Sequence, residues 1–361
     1  MYGFLPDKIV LQWHITDRCN YRCRHCYQDG YEGTELDYAS LTGILAQFKD
    51  LLARVAELKG GRRVRGHVTI TGGEPYVRSD FPRLLEHLSE NRAWTSFGVL
   101  TNGSFIDRSA ARELKRLRAS FVQISIEGSR LTHDRIRGAG TYDSAVCALE
   151  HLAKAGVRTL ISFTAHQGNY REFPDVVKLG RRLKVWKVWA DRVIPQGSGH
   201  ALAGQGLDQE TTRRFIEIMH ASQEAERARF FRRTEVAMDR ALQFLINGGK
   251  PYTCQAGGGL ITVMPDASLY PCRRMPVSVG NILDTPLSNL YFENDLLTSL
   301  RNASRVSEGC ECCLYKHACR GGLRCLSYAV KGDPFTADPG CWRATPAVRQ
   351  ELPAQIQEVS A

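Results

Sequence analysis

Long hydrophobic runs are missing from this sequence. No stretch of about twenty apolar residues, the length of a membrane-spanning helix, occurs in its 361 positions. Residues 1–8 also lack the basic region and the apolar segment that mark a secretory signal. These absences argue against a membrane partner and against export, and they predict a cytoplasmic protein.

Cysteine, by contrast, is abundant, with twelve residues. Disulfides do not persist in the reducing cytosol, so a cytoplasmic chain with this many thiols is expected to bind metal. Eleven of the twelve cysteines fall into two groups. The exception, Cys147, lies in a helical pattern over 142–155, where a lone cysteine is typically a small buried hydrophobe.

The first group follows an apolar stretch at 9–15 and reads Cys19-Asn-Tyr-Arg-Cys23-Arg-His-Cys26. Gaps of three and two residues let one loop place three thiolates on three irons of a four-iron four-sulfur cluster. The fourth iron is then open for another ligand. Zinc is the alternative, but zinc sites are usually built from Cys-x2-Cys or Cys/His pairs that supply four ligands.

The formal net charge of +10 would ordinarily suggest an anionic partner such as nucleic acid. Iron–sulfur clusters with their thiolates are negatively charged, and part of the basic excess is expected to compensate them. We interpret the basic runs at 60–65 and 227–233 as solvated loop and helix faces. Nucleic acid is therefore not an expected partner.

This first group resembles the signature of the radical S-adenosylmethionine (SAM) superfamily, Cys-x3-Cys-x-aromatic-Cys, with His25 in the aromatic position. The resemblance implies that Cys19, Cys23 and Cys26 hold a cluster whose open iron chelates the amino and carboxylate groups of SAM. One electron from that cluster would release a 5′-deoxyadenosyl radical, which abstracts hydrogen from an unactivated carbon. No amino-acid side chain supplies such a radical, which is why a cofactor is needed.

The pattern up to residue 196 alternates apolar, β-branched runs with helical periodicity. Strands are predicted at 9–16, 67–71, 97–101, 121–126, 159–165 and 185–194, and helices at 38–56, 79–89, 107–117, 142–155 and 170–183. This alternation predicts right-handed crossovers and a parallel sheet. The resemblance implies a partial (β/α)6 TIM-like barrel followed by a smaller cysteine-rich α+β domain, with functional groups at the C-terminal ends of the strands.

Four domain segments are expected. The core barrel is predicted at 1–205, a helical linker at 206–251 with helices at 209–227 and 234–247, an auxiliary domain at 252–345, and a tail at 346–361.

Polar motifs follow the second, third and fourth predicted strands. Glycines permit close backbone approach, a strand-end carboxylate can pair with an amino group, and amide and hydroxyl groups can bind ribose or carboxylate. The motifs resemble SAM-binding strand ends of the superfamily, although the fourth carries Glu127 where Asp is commoner. The SAM-binding residues implied are His25, Gly72, Gly73, Glu74, Pro75, Asn102, Ser125 and Glu127.

Two later segments also look like those of the superfamily. Arginines within 133–138 are candidates to neutralise a carboxylate, with surface exposure as the alternative. The segment 195–199, with glycines at alternate positions, is interpreted either as backbone near the adenine of SAM or as a turn between domains.

The second cysteine group resembles the SPASM domain, in which two auxiliary four-iron four-sulfur clusters are bound. The matching positions imply that Cys310, Cys313, Cys319 and Cys341, here called the outer cysteines, ligate one cluster. The inner cysteines, Cys254, Cys272 and Cys325, would ligate the other and leave it one protein thiolate short. Zinc stays an alternative for this array, since Cys-x2-Cys is also a zinc signature.

The match to the SPASM pattern has three departures. Ala267 replaces a glycine, five residues rather than three separate Cys319 from Cys325, and Cys312 is an additional thiol. Adjacent cysteines rarely point the same way, so Cys312 is interpreted as a spare buried thiol rather than as the missing inner ligand.

The combined resemblance implies an enzyme with SAM and three four-iron four-sulfur clusters that oxidatively modifies a peptide or protein, for example by thioether or carbon–carbon cross-linking. The expected partners are the peptide, an electron donor such as flavodoxin or ferredoxin, and a separate leader-binding protein. The alternatives are a sulfatase-maturing enzyme, a tetrapyrrole (heme) side-chain-modifying enzyme and, more remotely, a non-catalytic iron–sulfur or zinc protein. No catalytic acid or base is assigned from the sequence, because loop carboxylates are mostly solvated.

Overall fold

A computed structural model describes residues 5–28, 30–33, 35–231 and 233–344. The predicted tail at 346–361 lies outside these residues. The described strands form one sheet in the order β7-β6-β5-β4-β3-β2-β1-β8-β9. They are β1 Lys8–His14, β2 Arg65–Thr71, β3 Thr95–Thr101, β4 Val122–Ser125, β5 Thr159–Ala165, β6 Lys187–Arg192, β7 Glu235–Val236, β8 Leu260–Val263 and β9 Leu269–Tyr270.

Helices alternate with the first six strands, and further short helices lie in the C-terminal third. They are α1 Tyr38–Leu58, α2 Phe81–Glu90, α3 Arg108–Arg116, α4 Arg130–Arg137, α5 Thr141–Ala155, α6 Phe173–Arg182, α7 Gln209–Arg227, α8 Phe244–Asn247, α9 Leu287–Glu293, α10 Asp295–Arg301, α11 Lys316–Cys319 and α12 Arg324–Lys331. Asp37, Asp107 and Asp208 cap α1, α3 and α7 by accepting a backbone N–H, which satisfies a donor that the helix leaves free. Among the described residues, no helix is long and apolar enough to span a bilayer.

The sheet confirms the predicted fold class. All six predicted strands are present, and neighbouring strands from β1 to β7 pair in parallel. The strands begin or end a few residues from the predicted limits, as β6 does at Lys187–Arg192 instead of 185–194. Successive parallel strands with helical crossovers give the partial barrel.

The cysteine-rich region extends the same sheet. Strand β8 pairs in parallel with β1, with Val10 opposite Leu260 and Trp13 opposite Val263, and β9 returns antiparallel to β8. The hairpin of β8 and β9 is therefore built onto the barrel edge. The division at residues 205 and 252 stays a prediction, because the sheet runs through it.

The predicted helix at 234–247 is wrong as a continuous element. Glu235 donates its N–H to the carbonyl of Trp186 at 2.9 Å, and Ala237 donates to Val188 at 3.0 Å. These bonds make the segment a short edge strand, and only its end, Phe244–Asn247, is helical. Sheet pairing overrides the local helical pattern here, as tertiary context commonly does.

Residues of β1 alternate between two environments. Ile9 and Leu11 are fully buried and Trp13 nearly so, in the hydrophobic core. The intervening residues, which include Gln12 and His14, line a cavity inside the barrel. Because side chains in a strand alternate between faces, this register fixes which residues of the barrel face a substrate.

Candidate active site

The main cavity has a volume of about 780 Å³ and runs along the inside of the barrel. It extends from strand starts such as Lys8 and Lys187 to strand ends such as His14 and Asp191. This volume lies within the range of ligand pockets, roughly 300–1,000 Å³. The cavity is lined by both Cys19, Cys23 and Cys26 and the inner cysteines, Cys254, Cys272 and Cys325.

The loop at 15–28, here called the cysteine loop, is fixed on one side by the end of β2. Gly73 donates its N–H to the carbonyl of Thr16 at 2.8 Å, and Glu74 donates to Arg18 at 2.9 Å. A Cβ at Gly72 would lie 2.4 Å from the Thr16 carbonyl oxygen, and one at Gly73 would lie 2.2 Å from that of Arg18. These glycines therefore leave room for the backbone of the cysteine loop. From the sequence they were expected to leave room for a ligand.

The opposite side of the cysteine loop is fixed by two other segments. Arg24 donates its N–H to the Ile136 carbonyl at 2.9 Å, and Gly199 donates to the Cys26 carbonyl at 2.8 Å. A Cβ at Gly197 would lie 2.2 Å from the carbonyl oxygen of Tyr27. The segment at 195–199 thus packs on the cysteine loop, which gives its glycines a structural reason that the sequence alone did not supply.

Glu74 is fully buried and joins the ends of β2 and β3. Its carboxylate accepts from the Thr101 hydroxyl and the Asn102 N–H, both at 2.8 Å, and from the Tyr76 N–H at 3.3 Å. Burial raises the pKa of Glu74 to about 7, although these hydrogen bonds oppose the change. Gly72 and Gly73 line the cavity, whereas Glu74 and Pro75 are absent from its lining, and Pro75 begins a short turn.

Glu127 is also fully buried, and it lies beneath the cysteine loop. Its Oε1 is 3.2 Å from His25 Nε2 and 2.6 Å from Arg137 Nη2, and its Oε2 accepts from the Thr164 N–H at 2.8 Å. Burial alone would raise the pKa of Glu127, but the Arg137 guanidinium and the hydrogen bonds outweigh it and hold this pKa well below its usual range. Arg137 Nη1 lies 3.7 Å from Cys23 Sγ.

This arrangement orients His25. The Nε2 side of its ring is occupied by Glu127 and Arg137, while the buried Nδ1 has no partner among the described residues. The arginine of the 133–138 segment that neutralises a carboxylate is Arg137, whereas Arg135 is exposed.

Asn102 and Ser125 both line the cavity. The side-chain N–H of Asn102 donates to Asn20 Oδ1 at 2.8 Å, and Ser125 Oγ is 3.1 Å from Ser162 Oγ. Asn102 thus contacts the cysteine loop, and Ser125 lies at the end of β4. Their roles as SAM ligands stay predictions.

The inner cysteines lie beside an ion pair from the end of β6. Arg274 Nη1 is 2.7 Å from Asp191 Oδ2, and the Arg274 guanidinium interacts electrostatically with Cys272 and Cys325. Burial raises the pKa of both thiols. Tyr27, next to Cys26, lies within electrostatic reach of the same thiols, and burial raises its pKa to about 12.

The outer cysteines, Cys310, Cys313, Cys319 and Cys341, line one small separate cavity near the surface. Burial raises the pKa of Cys310 to about 11 and that of Cys319 to about 12. Buried thiols of this kind bind metal only when they lose their protons. Metal binding by the outer cysteines is therefore coupled to proton release.

Two predictions of burial are wrong. Cys312 is exposed and lines neither cavity, and its interpretation as a spare thiol stays a prediction. Cys147 is also exposed, with Sγ 3.8 Å from His151 Nε2. Ala267, which replaces a glycine of the SPASM pattern, adopts a left-handed conformation with φ of 66° and is fully buried. Alanine in place of glycine is therefore accommodated here in a strained, left-handed turn.

The geometry of the thiols bears on which metal they would bind. Among the described residues, no three His, Cys, Asp or Glu side chains converge as ligands of a single metal ion. A zinc ion needs such convergence at about 2.0–2.3 Å. In an iron–sulfur cluster each thiolate binds a different iron, so the thiolates stay apart. The cysteines are grouped around two cavities, and their assignment to auxiliary clusters stays a prediction.

Several cavity residues were missed by the sequence argument, notably His14, Asp191, Arg192 and Arg273. The sequence did contain a signal for His14. It occupies an even-numbered position of β1, as the other cavity-lining residues of this strand do. Arg273 adjoins Cys272, and nothing in its sequence neighbourhood indicates that it faces the barrel.

Residues 13–180 match the family model described as the Radical SAM superfamily. This segment of the chain is a radical SAM domain. SAM and a four-iron four-sulfur cluster are the cofactors of this superfamily, and the half-buried cysteines of the loop, with Arg137 beside Cys23, fit a negatively charged cluster. The described residues thus provide three thiols and an orienting shell for it.

Curated relatives extend the similarity beyond this domain. The Fe-coproporphyrin III synthase of Methanosarcina barkeri is 25% identical, over 93% of this chain and 88% of its own length. The pre-heme d1 synthase of Dinoroseobacter shibae is 27% identical, over 93% and 86%. The PqqA peptide cyclase of Rhizobium meliloti is 25% identical, over 99% and 92%.

Solved structures share the fold. SuiB of Streptococcus suis, bound to its precursor peptide SuiA, superposes with a TM-score of 0.69 at 17% identity, over 92% of this chain and 75% of that one. The enzyme anSMEcpe with bound AdoMet superposes with a TM-score of 0.70 at 20% identity, over 93% and 91%.

Proposed function

We propose that this enzyme oxidises a substrate held in the barrel cavity, between a SAM-binding cluster and an inner auxiliary cluster. The observation that carries the proposal is that Cys19, Cys23 and Cys26 line the same cavity as Cys254, Cys272 and Cys325. A group bound there would be close to both sets of thiols. The outer cysteines would hold a further cluster on the surface side.

The cofactors would supply the radical chemistry. Cys19, Cys23 and Cys26 would hold the cluster that, with SAM and one electron from an external donor, supplies a 5′-deoxyadenosyl radical able to take hydrogen from the substrate. An auxiliary cluster would supply the acceptor for one further electron, and solvent or a base would take one proton. The chain itself would hold the cysteine loop between the end of β2 and the end of α4. Glu127 and Arg137 would orient His25 beneath it.

A peptide is the substrate we favour, modified by thioether or carbon–carbon cross-linking. The similarity to the PqqA peptide cyclase of Rhizobium meliloti, which extends over 99% of this chain, supports this assignment. The shared fold with SuiB, solved with a precursor peptide, is consistent with it. A cavity of about 780 Å³ would admit a short segment of peptide rather than a folded protein. A leader-binding protein and a flavodoxin or ferredoxin would be the other partners.

A tetrapyrrole is the second candidate, and the charge of the cavity favours it. Lys8 and Arg240 line the cavity, and neither forms an ion pair within the part of the chain that the structure describes. Arg240 stacks on Trp189, with 4.5 Å between the guanidinium carbon and the ring centroid. Cations beside aromatic walls suit a flat polycarboxylate, and the similarity to Fe-coproporphyrin III synthase points the same way.

The test is anaerobic reconstitution of the full chain, followed by iron analysis and measurement of 5′-deoxyadenosine. Three clusters predict about twelve irons per chain. Cys19→Ala should abolish reductant-dependent SAM cleavage, whereas Cys147→Ala is the matched control, because Cys147 is exposed and lines neither cavity. A wild-type protein that binds iron but forms no 5′-deoxyadenosine would contradict the proposal.

The substrate class is then decided by turnover. The enzyme is incubated with coproporphyrin III and with the peptides encoded by neighbouring short reading frames, and products are identified by mass. Loss of two hydrogens or a cross-link in a peptide supports the first assignment. Modification of the tetrapyrrole alone would replace it with the second.

A further inference from the structure

Among the described residues, Arg273 is a buried cation with no carboxylate in direct ion-pair contact. It is 8% exposed and lines the cavity. Its guanidinium makes one long hydrogen bond, 3.4 Å from Nη2 to the Tyr27 carbonyl. Among the described residues, no carboxylate lies within 4.0 Å of it. Buried charges are normally paired, because an unpaired charge loses its hydration without compensation.

The neighbouring residue, Arg274, shows what a paired arginine looks like at this position. It bonds to Asp191 and interacts electrostatically with the inner cysteines Cys272 and Cys325. Arg273 acts instead on His14 and Asp17. The two guanidinium groups therefore serve different surroundings, and Arg274 is the one that interacts with Cys272 and Cys325.

His14 faces the same part of the cavity and is incompletely bonded. It is 6% exposed, and its Nε2 is buried without a hydrogen-bond partner among the described residues. Burial, reinforced by the charge of Arg273, holds the pKa of His14 well below its usual range. The ring is therefore neutral, and its Nε2 can donate one hydrogen bond when the proton lies on that nitrogen.

We propose that Arg273 and His14 form a subsite that binds a carboxylate group of the substrate. The planar guanidinium matches a carboxylate through two parallel hydrogen bonds, and the imidazole supplies a third donor. Asp17 lies within electrostatic reach of Arg273, which lowers the local positive charge and suits a monoanion better than a phosphate dianion.

The subsite rests on the proposed function and sharpens it. His14 ends β1 immediately before the cysteine loop, and Arg273 follows Cys272. A carboxylate held here would place the neighbouring carbon atoms of the substrate between the two sets of cysteines. The same chemistry is available from a Glu or Asp side chain of a peptide and from an acidic side chain of a tetrapyrrole.

The experiment is protection of arginine side chains from phenylglyoxal in the reconstituted full chain without SAM. Modification of each arginine is followed by mass spectrometry in the presence of glutarate or of the neutral glutaramide. Glutarate should slow the modification of Arg273 severalfold, whereas glutaramide should not. Exposed Arg22 and paired Arg274 are internal controls, and neither should respond to glutarate. In His14→Phe the protection by glutarate should weaken.

Three outcomes would overturn the subsite: no reaction at Arg273, no greater protection there than at Arg22, or equal protection by glutaramide. Equal and full protection by SAM alone would also overturn it, since Arg273 would then serve the carboxylate of SAM. Two comparisons of Arg273 protection identify the source of the carboxylate. One sets coproporphyrin III against its tetramethyl ester, and the other sets a glutamate peptide against its glutamine analogue. Failure of SAM cleavage would remove the proposed function and leave the protection result standing.

Discussion

Arg192 and Asp338 form a buried bidentate ion pair between the barrel and the cysteine-rich region. Arg192 Nη1 lies 2.7 Å from Asp338 Oδ1, and Nη2 lies 2.6 Å from Oδ2. Asp338 also accepts from the N–H groups of Leu323 and Gly340, both at 2.9 Å. Since Asp338 precedes Cys341 by three residues, this pair connects the end of β6 to the outer cysteines.

Removal of one member of this pair should destabilise the protein strongly. In Asp338→Asn the Arg192 guanidinium keeps its charge in a buried site, which costs about 3–5 kcal/mol. We expect a lower unfolding midpoint in denaturant and early loss of iron from the outer site. The double variant Arg192→Met/Asp338→Leu should be less destabilised than the sum of its two single variants, Arg192→Met and Asp338→Leu. Additive single effects would show that the two residues are not coupled.

The fold of this chain was largely readable from its sequence, because β-branched runs and helical periodicity alternate regularly through residue 196. The helix predicted at 234–247 failed because Glu235 pairs with β6, a long-range contact with no local signal. The position of Asn102 and Ser125 at strand ends beside the cavity was readable for the same reason, whereas their roles stay predictions. Arg273 and Asp338 were not, since their roles depend on chain segments distant in sequence.

Gly73→Ala should displace the cysteine loop. The added Cβ would lie 2.2 Å from the Arg18 carbonyl oxygen and 2.7 Å from that of Asp17, and backbone atoms cannot move aside as a flexible side chain can. We expect loss of SAM cleavage, measured as 5′-deoxyadenosine, with iron retained at the auxiliary sites.

The matched control is Gly43→Ala, in the middle of α1, where an added Cβ meets nothing within 4 Å. Alanine in a helix interior is favoured by roughly 0.5–1 kcal/mol over glycine. This variant should keep full SAM cleavage and a slightly higher thermal midpoint. Equal activity in the two variants would refute the close fit at Gly73.

The stability of the SAM-free enzyme should depend on pH through Glu74. Its pKa in the folded protein is raised by burial from 4.5 to about 7, so the folded state binds the proton more tightly than the unfolded state. The stabilisation from protonation is complete below pH 4.5, declines as the pH rises to about 7 and is absent above it. The change is on the order of 3 kcal/mol.

Glu74→Gln isolates this contribution, because its side chain is neutral at every pH. The free energy of unfolding is measured for both proteins at pH 5 and pH 8. The wild-type protein should lose more stability than the variant over this interval. Parallel pH profiles would mean that Glu74 is ionised throughout in the folded protein.

Cys325 and Cys312 provide a direct test of the cysteine assignment. Cys325 is buried and lines the barrel cavity with Cys254 and Cys272, whereas Cys312 is exposed beside Cys313. Cys325→Ser should lose one cluster, about four of some twelve irons, and substrate oxidation with it. Cleavage of SAM at the separate cysteine loop should persist, because that loop keeps its own thiols. Cys312→Ser should retain all the iron, and equal iron loss in the two variants would place Cys312 among the ligands.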